Sequence, residues 1–186
     1  MKRTIKALAA AILLAGCTSC GSNRVSGMID RDVIVPKDGY AEGGLRDSLR
    51  TAWFDLTVNN AETAETYGSI KPAEGETLLI VNITLISTFD SDTVMFDTDF
   101  QAQWGGEGEE DYRFPVTAYD PSLTEKGMLE EEYVLSPQET VTGNLVFSVP
   151  AGYETYSLSF MEYFELFGDE SGSDNAGDLF FVYFNV

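Results

Sequence analysis

Leu78-Leu79-Ile80-Val81-Asn82-Ile83-Thr84-Leu85 is an unbroken run of strand-forming side chains whose two parities differ. Leu79, Val81, Ile83 and Leu85 make one wholly apolar row, and Leu78, Ile80, Asn82 and Thr84 occupy the other. Successive side chains of a strand point to opposite sides, so this run predicts a central strand with a core face. Upstream, Phe54, Leu56 and Val58 share a face opposite Trp53, Asp55, Thr57 and Asn59. Downstream, Phe96, Phe100, Ala102 and Trp104 are expected to point inward with Thr98, opposite a polar row of Asp97, Asp99, Gln101 and Gln103. Val141, Leu145, Phe147 and Val149 line up around Gly143, and Tyr156, Leu158 and Phe160 repeat the pattern. Leu179 to Val186 is apolar on both parities, and Phe114-Pro115-Val116 and Tyr133-Val134-Leu135 read as shorter strands, the former at an edge because proline donates no hydrogen bond.

Turn chemistry at Gly75, Gly105-Gly106, Pro137 and Pro150-Ala151-Gly152 separates these runs, and no long segment carries apolar residues at helical spacing. The expectation is an all-β domain over residues 45–186, a sandwich of two antiparallel sheets with about seven or eight strands. Residues 17–44 are Ser- and Gly-bearing with mixed charge and read as a tether with at most one strand, at the short apolar run Val33-Ile34-Val35-Pro36.

The blocks Trp53-Phe54-Asp55-Leu56-Thr57-Val58-Asn59, Gly75 with Leu78 to Thr84, Phe96-Asp97-Thr98-Asp99-Phe100, Thr142-Gly143-Asn144-Leu145-Val146-Phe147 and Phe180-Phe181-Val182-Tyr183-Phe184 occur in an order that resembles a known family. It is the telokin-like, immunoglobulin-fold domain of unknown function found in lipoproteins, mostly of Gram-positive bacteria, within the immunoprotective extracellular antigen superfamily. The resemblance implies an immunoglobulin-like sandwich outside the cell and brings no catalytic residues.

The N-terminus agrees with that location. Lys2, Arg3 and Lys6 precede an apolar stretch from Ala7 to Leu14, and Leu14-Ala15-Gly16-Cys17 has the order cut by lipoprotein signal peptidase. The apolar stretch is shorter than the roughly 20 residues that span a bilayer, so residues 1–16 read as a cleaved signal peptide. Small residues at Ala15 and Gly16 admit an extended chain to a peptidase cleft, and the Cys17 thiol would carry the lipid. Several acyl chains, each buried methylene contributing about 0.8 kcal/mol, anchor stably where one holds marginally. The predicted location is therefore the extracytoplasmic face of the cell membrane. With Cys17 alkylated, Cys20 is the remaining thiol, which excludes an internal disulfide.

Composition narrows the chemistry. The 186 residues carry 31 acids against 11 basic residues, a formal net charge of −20, and no histidine. Phosphate is repelled, which disfavours nucleic acid as a partner. Lack of histidine removes histidine acid–base catalysis, Ser-His and Cys-His nucleophile pairs and histidine metal ligation. No Gly-x-Ser-x-Gly elbow, Ser-x-x-Lys pair or phosphate-cradling loop is present. The expectation is a non-enzyme without a cofactor that meets another protein or a wall polymer; composition leaves its oligomeric state open. The alternatives are a calcium-dependent or small-ligand-binding module and, third, a hydrolase working through paired carboxylates.

Two sets of side chains are the candidates for contact. Asp97 and Asp99, and Asp169, Glu170, Asp174 and Asp178 in a Gly/Ser-rich loop, offer hard oxygens for Ca2+. Asp97-Thr98-Asp99 is followed by Gln101 and lacks the glycine turn and later glutamate of an EF-hand loop, so any calcium site would be of another kind. Trp53 and Tyr163 lie on parities opposite the core rows and are the candidate surface aromatics, suited to a partner or glycan.

Overall fold

A computed structural model describes residues 32–105, 112–164 and 176–186. The signal and lipidation residues Leu14, Ala15, Gly16 and Cys17, and the loop acids Asp169, Glu170 and Asp174, lie outside the described residues.

The run that opened the sequence reading is the middle of β5 (Glu76–Ser87), paired antiparallel on both sides, with β4 (Phe54–Ala64) and β10 (Thr140–Pro150). Beyond β4 lie β3 (Ser48–Arg50) and, parallel to it, β1 (Val33–Ile34), which complete the first five-stranded sheet. The second sheet runs β2 (Tyr40–Gly44), β12 (Ala176–Asn185), β11 (Thr155–Tyr163), β7 (Phe100–Trp104) and β8 (Tyr112–Arg113). A separate two-stranded antiparallel sheet pairs β6 (Thr93–Phe96) with β9 (Glu132–Leu135).

The predicted rows meet between the sheets. Phe54, Leu56, Val58, Leu79, Val81, Ile83, Leu85, Leu145 and Phe147 from one sheet bury against Phe100, Ala102, Tyr156, Leu158, Phe160, Phe180 and Val182 from the other. An all-β sandwich with inward alternation is therefore the observed architecture.

Both faces of β5 are used. Outside the sandwich, Leu78 and Ile80 join Val146 under Ile70 and Val116, a smaller apolar cluster covered by the two long connections. Farther along the same face the residues become polar and bond across three strands. Asn59, the extra residue of a bulge in β4, donates to Asn82 Oδ1 (2.9 Å) and Thr84 Oγ1 (2.8 Å). Asn82 donates to Asn144 Oδ1 (2.7 Å), and Asn144 to the Tyr67 hydroxyl (2.8 Å). The edge of β10 is covered by Gly127 to Leu129, whose backbone bonds to Asn144. Gly143 permits the crossing, since a Cβ there would sit 2.7 Å from Leu129 Cδ2.

Four expectations are corrected. The sandwich begins by Val33, inside the stretch read as tether, because β1 and β2 find edge partners by main-chain pairing. Those two edge pairs are parallel, so neither sheet is wholly antiparallel, and short edge pieces raise the strand number among the described residues to twelve. Phe96 is 41% exposed, because a 3-10 turn at Asp97–Asp99 resets the alternation before Phe100 and places Asp97 inward at 1% exposure. Phe114-Pro115-Val116 is not a strand: Pro115 leads into a 3-10 turn at Val116–Ala118.

Candidate functional site

At the end of the sandwich where both sheets meet the β6–β9 pair, a cleft of about 160 Å3 opens to solvent. Its walls are Trp53 from the turn before β4, Phe160, Met161 and Tyr163 from β11, Thr93 to Met95 from β6, and Asp99. Three side chains singled out separately in the sequence, Trp53, Asp99 and Tyr163, thus line one cavity.

Each is positioned by local structure. Thr51 holds the turn before Trp53: its hydroxyl accepts from the amides of Trp53 (3.2 Å) and Phe54 (3.0 Å) and donates to the Phe54 carbonyl (2.9 Å). The indole then meets Phe160 edge-on at 6.4 Å and Phe164 at 5.2 Å, so Trp53 caps the core end. Met161 and Tyr163 point outward, at 50% and 62% exposure. Asp99 accepts from the Phe96 amide (2.8 Å), which ties the end of β6 to the turn.

Behind the wall lies a polar group that sequence reasoning placed on the outside or missed. Asp97 accepts the Thr117 hydroxyl on Oδ2, while its Oδ1 is buried without a partner. Thr93 Oγ1 and the Tyr133 hydroxyl share that condition, and among the described residues these three are the buried side-chain polar atoms so placed. Thr93 and Asp97 flank Met95, and Tyr133 pairs with Met95 across the ladder. Buried polar atoms are generally satisfied, so such a concentration marks a site that favours a ligand or water. Tyr133 was detectable by parity, two residues before the inward Leu135.

Burial pushes the Asp97 carboxyl above the ordinary carboxylate range; the Thr117 hydroxyl opposes this and Glu131 adds to it. Burial likewise raises Asp99, against the Phe96 amide. The Tyr133 phenol is raised by burial and then by the charges of Asp99 and Asp97. A carboxyl raised in the folded state binds more protons folded than unfolded, so its contribution to stability falls as pH rises from the ordinary carboxylate range to its own shifted value. The Asp97→Asn protein lacks that proton. The stability difference, wild type minus variant, should therefore shrink with rising pH over this interval in paired urea titrations; parallel curves would contradict the assignment.

Asp178 lies on β12, where its amide donates to Glu162 Oε2 (3.1 Å), and it is not on the cleft wall. Among the described residues no three acids, cysteines or histidines converge as a metal-holding group. A second cavity, about 260 Å3, lies under Tyr119 and is bordered by Lys71, Glu76, Arg113 and Ser148. Arg113 sits 5.3 Å over the Trp104 ring and 3.7 Å from Glu76.

The fold and cleft define a two-sheet β-sandwich module with a small aromatic and acidic recess at one end. The chain belongs to the family described as Domain of unknown function (DUF4352), which matches residues 44–170. No significant match to a curated protein is found. Among solved structures it is similar to a candidate lipoprotein, ycdA, from Bacillus subtilis subsp. subtilis str. 168, with TM-score 0.52 and 16% identity over 74% of this chain and 38% of that one. It is also similar to the yjhA protein of Bacillus subtilis, with TM-score 0.51 and 16% identity over 77% of this chain and 99% of that one. The chain thus spans well under half of ycdA and nearly all of yjhA, and at these identities the likeness is one of fold. Among the described residues no helix is long and apolar enough to cross a membrane.

Proposed function

We propose that this protein is a lipid-anchored extracytoplasmic lipoprotein whose sandwich is a non-catalytic interaction module, with the cleft end as the contacting face. The observation that carries the reading is the convergence of Trp53, Asp99 and Tyr163 on one recess, beside buried polar atoms that lack partners. Support for the anchor comes from the Leu14-Ala15-Gly16-Cys17 order behind a basic and apolar leader. A charge of −20 favours partners that are neutral or basic.

The anchor and the face are tested separately. Cys17→Ala should move the protein from the membrane fraction to the soluble fraction, because the acyl chains supply nearly all of its membrane affinity; unchanged membrane retention would refute the anchor. A photoreactive residue replacing Tyr163 should capture a partner on intact cells, while the same residue replacing Tyr153, in the turn that precedes the opposite end of β11, should not. Equal capture from both positions would refute the face.

A further inference from the structure

Resting on the reading of this cleft as the contacting face, we infer that it receives an organic cation, a primary ammonium or guanidinium group, set against the Trp53 and Tyr163 rings and beside Asp99 and Thr93. Four observations point the same way. Ring faces attract cations, and Trp53, Phe160 and Tyr163 supply three rings on the wall of a cavity of about 160 Å3, room for a small organic head group. Asp99 provides a carboxylate on that wall, and its charge acts on the buried Asp97 behind it. Among the described residues, neither of the ion pairs Arg50–Asp55 and Arg113–Glu76 engages Asp97 or Asp99. Thr93 lines the same cleft, and its hydroxyl oxygen lies behind the wall, buried and without a partner, an acceptor that an N–H donor entering the recess would satisfy.

The donor set also separates an organic cation from a metal. Calcium takes about six to eight oxygens. The cleft wall instead offers one carboxylate and the two hydroxyls of Thr93 and Tyr163 among rings and the two thioethers of Met95 and Met161. A neutral apolar ligand would bury Asp99 and leave Thr93 unpaired, and an anion would face both the local carboxylates and the overall charge of −20.

The test titrates the full-length, detergent-solubilised chain with N-acetyl-lysine amide and N-acetyl-arginine amide, following the change in tryptophan fluorescence from Trp53 on the cleft wall against the constant background of the buried Trp104. The comparison probes are N-acetyl-norleucine amide, the neutral analogue of lysine, N-acetylglucosamine and calcium chloride. The expected result is saturable binding of at least one cationic probe, about tenfold tighter than the norleucine analogue and weakened about tenfold in Asp99→Asn. Asparagine keeps an acceptor for the Phe96 amide, which preserves the turn. Tyr163→Ala, at a 62% exposed position, leaves the fold intact and should also weaken binding severalfold. Equal affinity for the norleucine analogue, a preference for the sugar, displacement by calcium, or unchanged binding in both variants would overturn the inference. Position-specific crosslinking at Tyr163 with no binding of either cationic probe would refute the ligand class alone, whereas failure of both would remove the contacting face as well.

Discussion

Phe160→Ala is expected to lower the free energy of unfolding by about 3–5 kcal/mol, the range for deleting a buried aromatic ring. Phe160 is where the sheets and the cleft meet. Its ring lies 5.0 Å from Phe54 on the first sheet, 5.6 Å from Phe100 and 6.0 Å from Phe180 on the second, and 6.4 Å from Trp53 above. Alanine would leave a cavity walled by four aromatic rings, which cannot close over it without moving strands that are locked by their ladders. The neighbouring residue provides the contrast: Met161 is half exposed, and Met161→Ala should change stability by no more than about 0.5 kcal/mol. Urea unfolding of both variants decides the matter. A Phe160→Ala loss below about 1.5 kcal/mol would mean that the cleft end is loosely packed and that the ring cluster is not a unit.

Parity explains how much of this was readable beforehand. The inward rows of β4, β5, β10 and β11 follow from alternation alone, because each strand is long and its inward row is apolar through the sandwich, up to Glu162 at the end of β11. Trp53 and Tyr163 were placed off the core rows by the same argument, and both border the cleft. Alternation failed where the chain left the extended conformation for three residues. The turn at Asp97–Asp99 shifts the phase, turning Phe96 outward and Asp97 inward, and nothing in the polar row Asp97, Asp99, Gln101, Gln103 announces that break. Of the two edge strands in the tether, β1 coincides with the apolar run at Val33-Ile34, whereas β2 was hidden for another reason. It is held by backbone hydrogen bonds to a partner distant in sequence, so its composition carries little signal. The cleft itself needs three elements brought together by the fold, and only its separate side chains could be read from the chain.

Glu162→Ala is expected to cost about 2–4 kcal/mol, an effect that stems from hydrogen bonds rather than packing. Glu162 continues the inward row of Tyr156, Leu158 and Phe160 and, although charged, it is buried. It accepts from the Ala52 amide on Oε1 (2.6 Å) and from the Asp178 amide on Oε2 (3.1 Å). Those two amides belong to the turn before β4 on the first sheet and to β12 on the second, so one carboxylate fastens the sheets together at the cleft end. Gly177 makes room for it, because a Cβ there would lie 2.7 Å from Glu162 Cβ and 2.8 Å from Oε2. Hydrogen bonds to a charged acceptor contribute about 1.5–3 kcal/mol each, and the Ala52 amide, nearer solvent, recovers part of its loss through water. Glu162→Gln keeps one acceptor oxygen and presents an NH2 to the other amide, so it should lose an intermediate amount. Urea unfolding gives the energies, and hydrogen exchange at the Ala52 and Asp178 amides identifies the cause: both should exchange faster in Glu162→Ala, and one of them in Glu162→Gln. Equal stability of the alanine variant with unchanged protection at both amides would show that the sheets are joined here by the aromatic cluster alone.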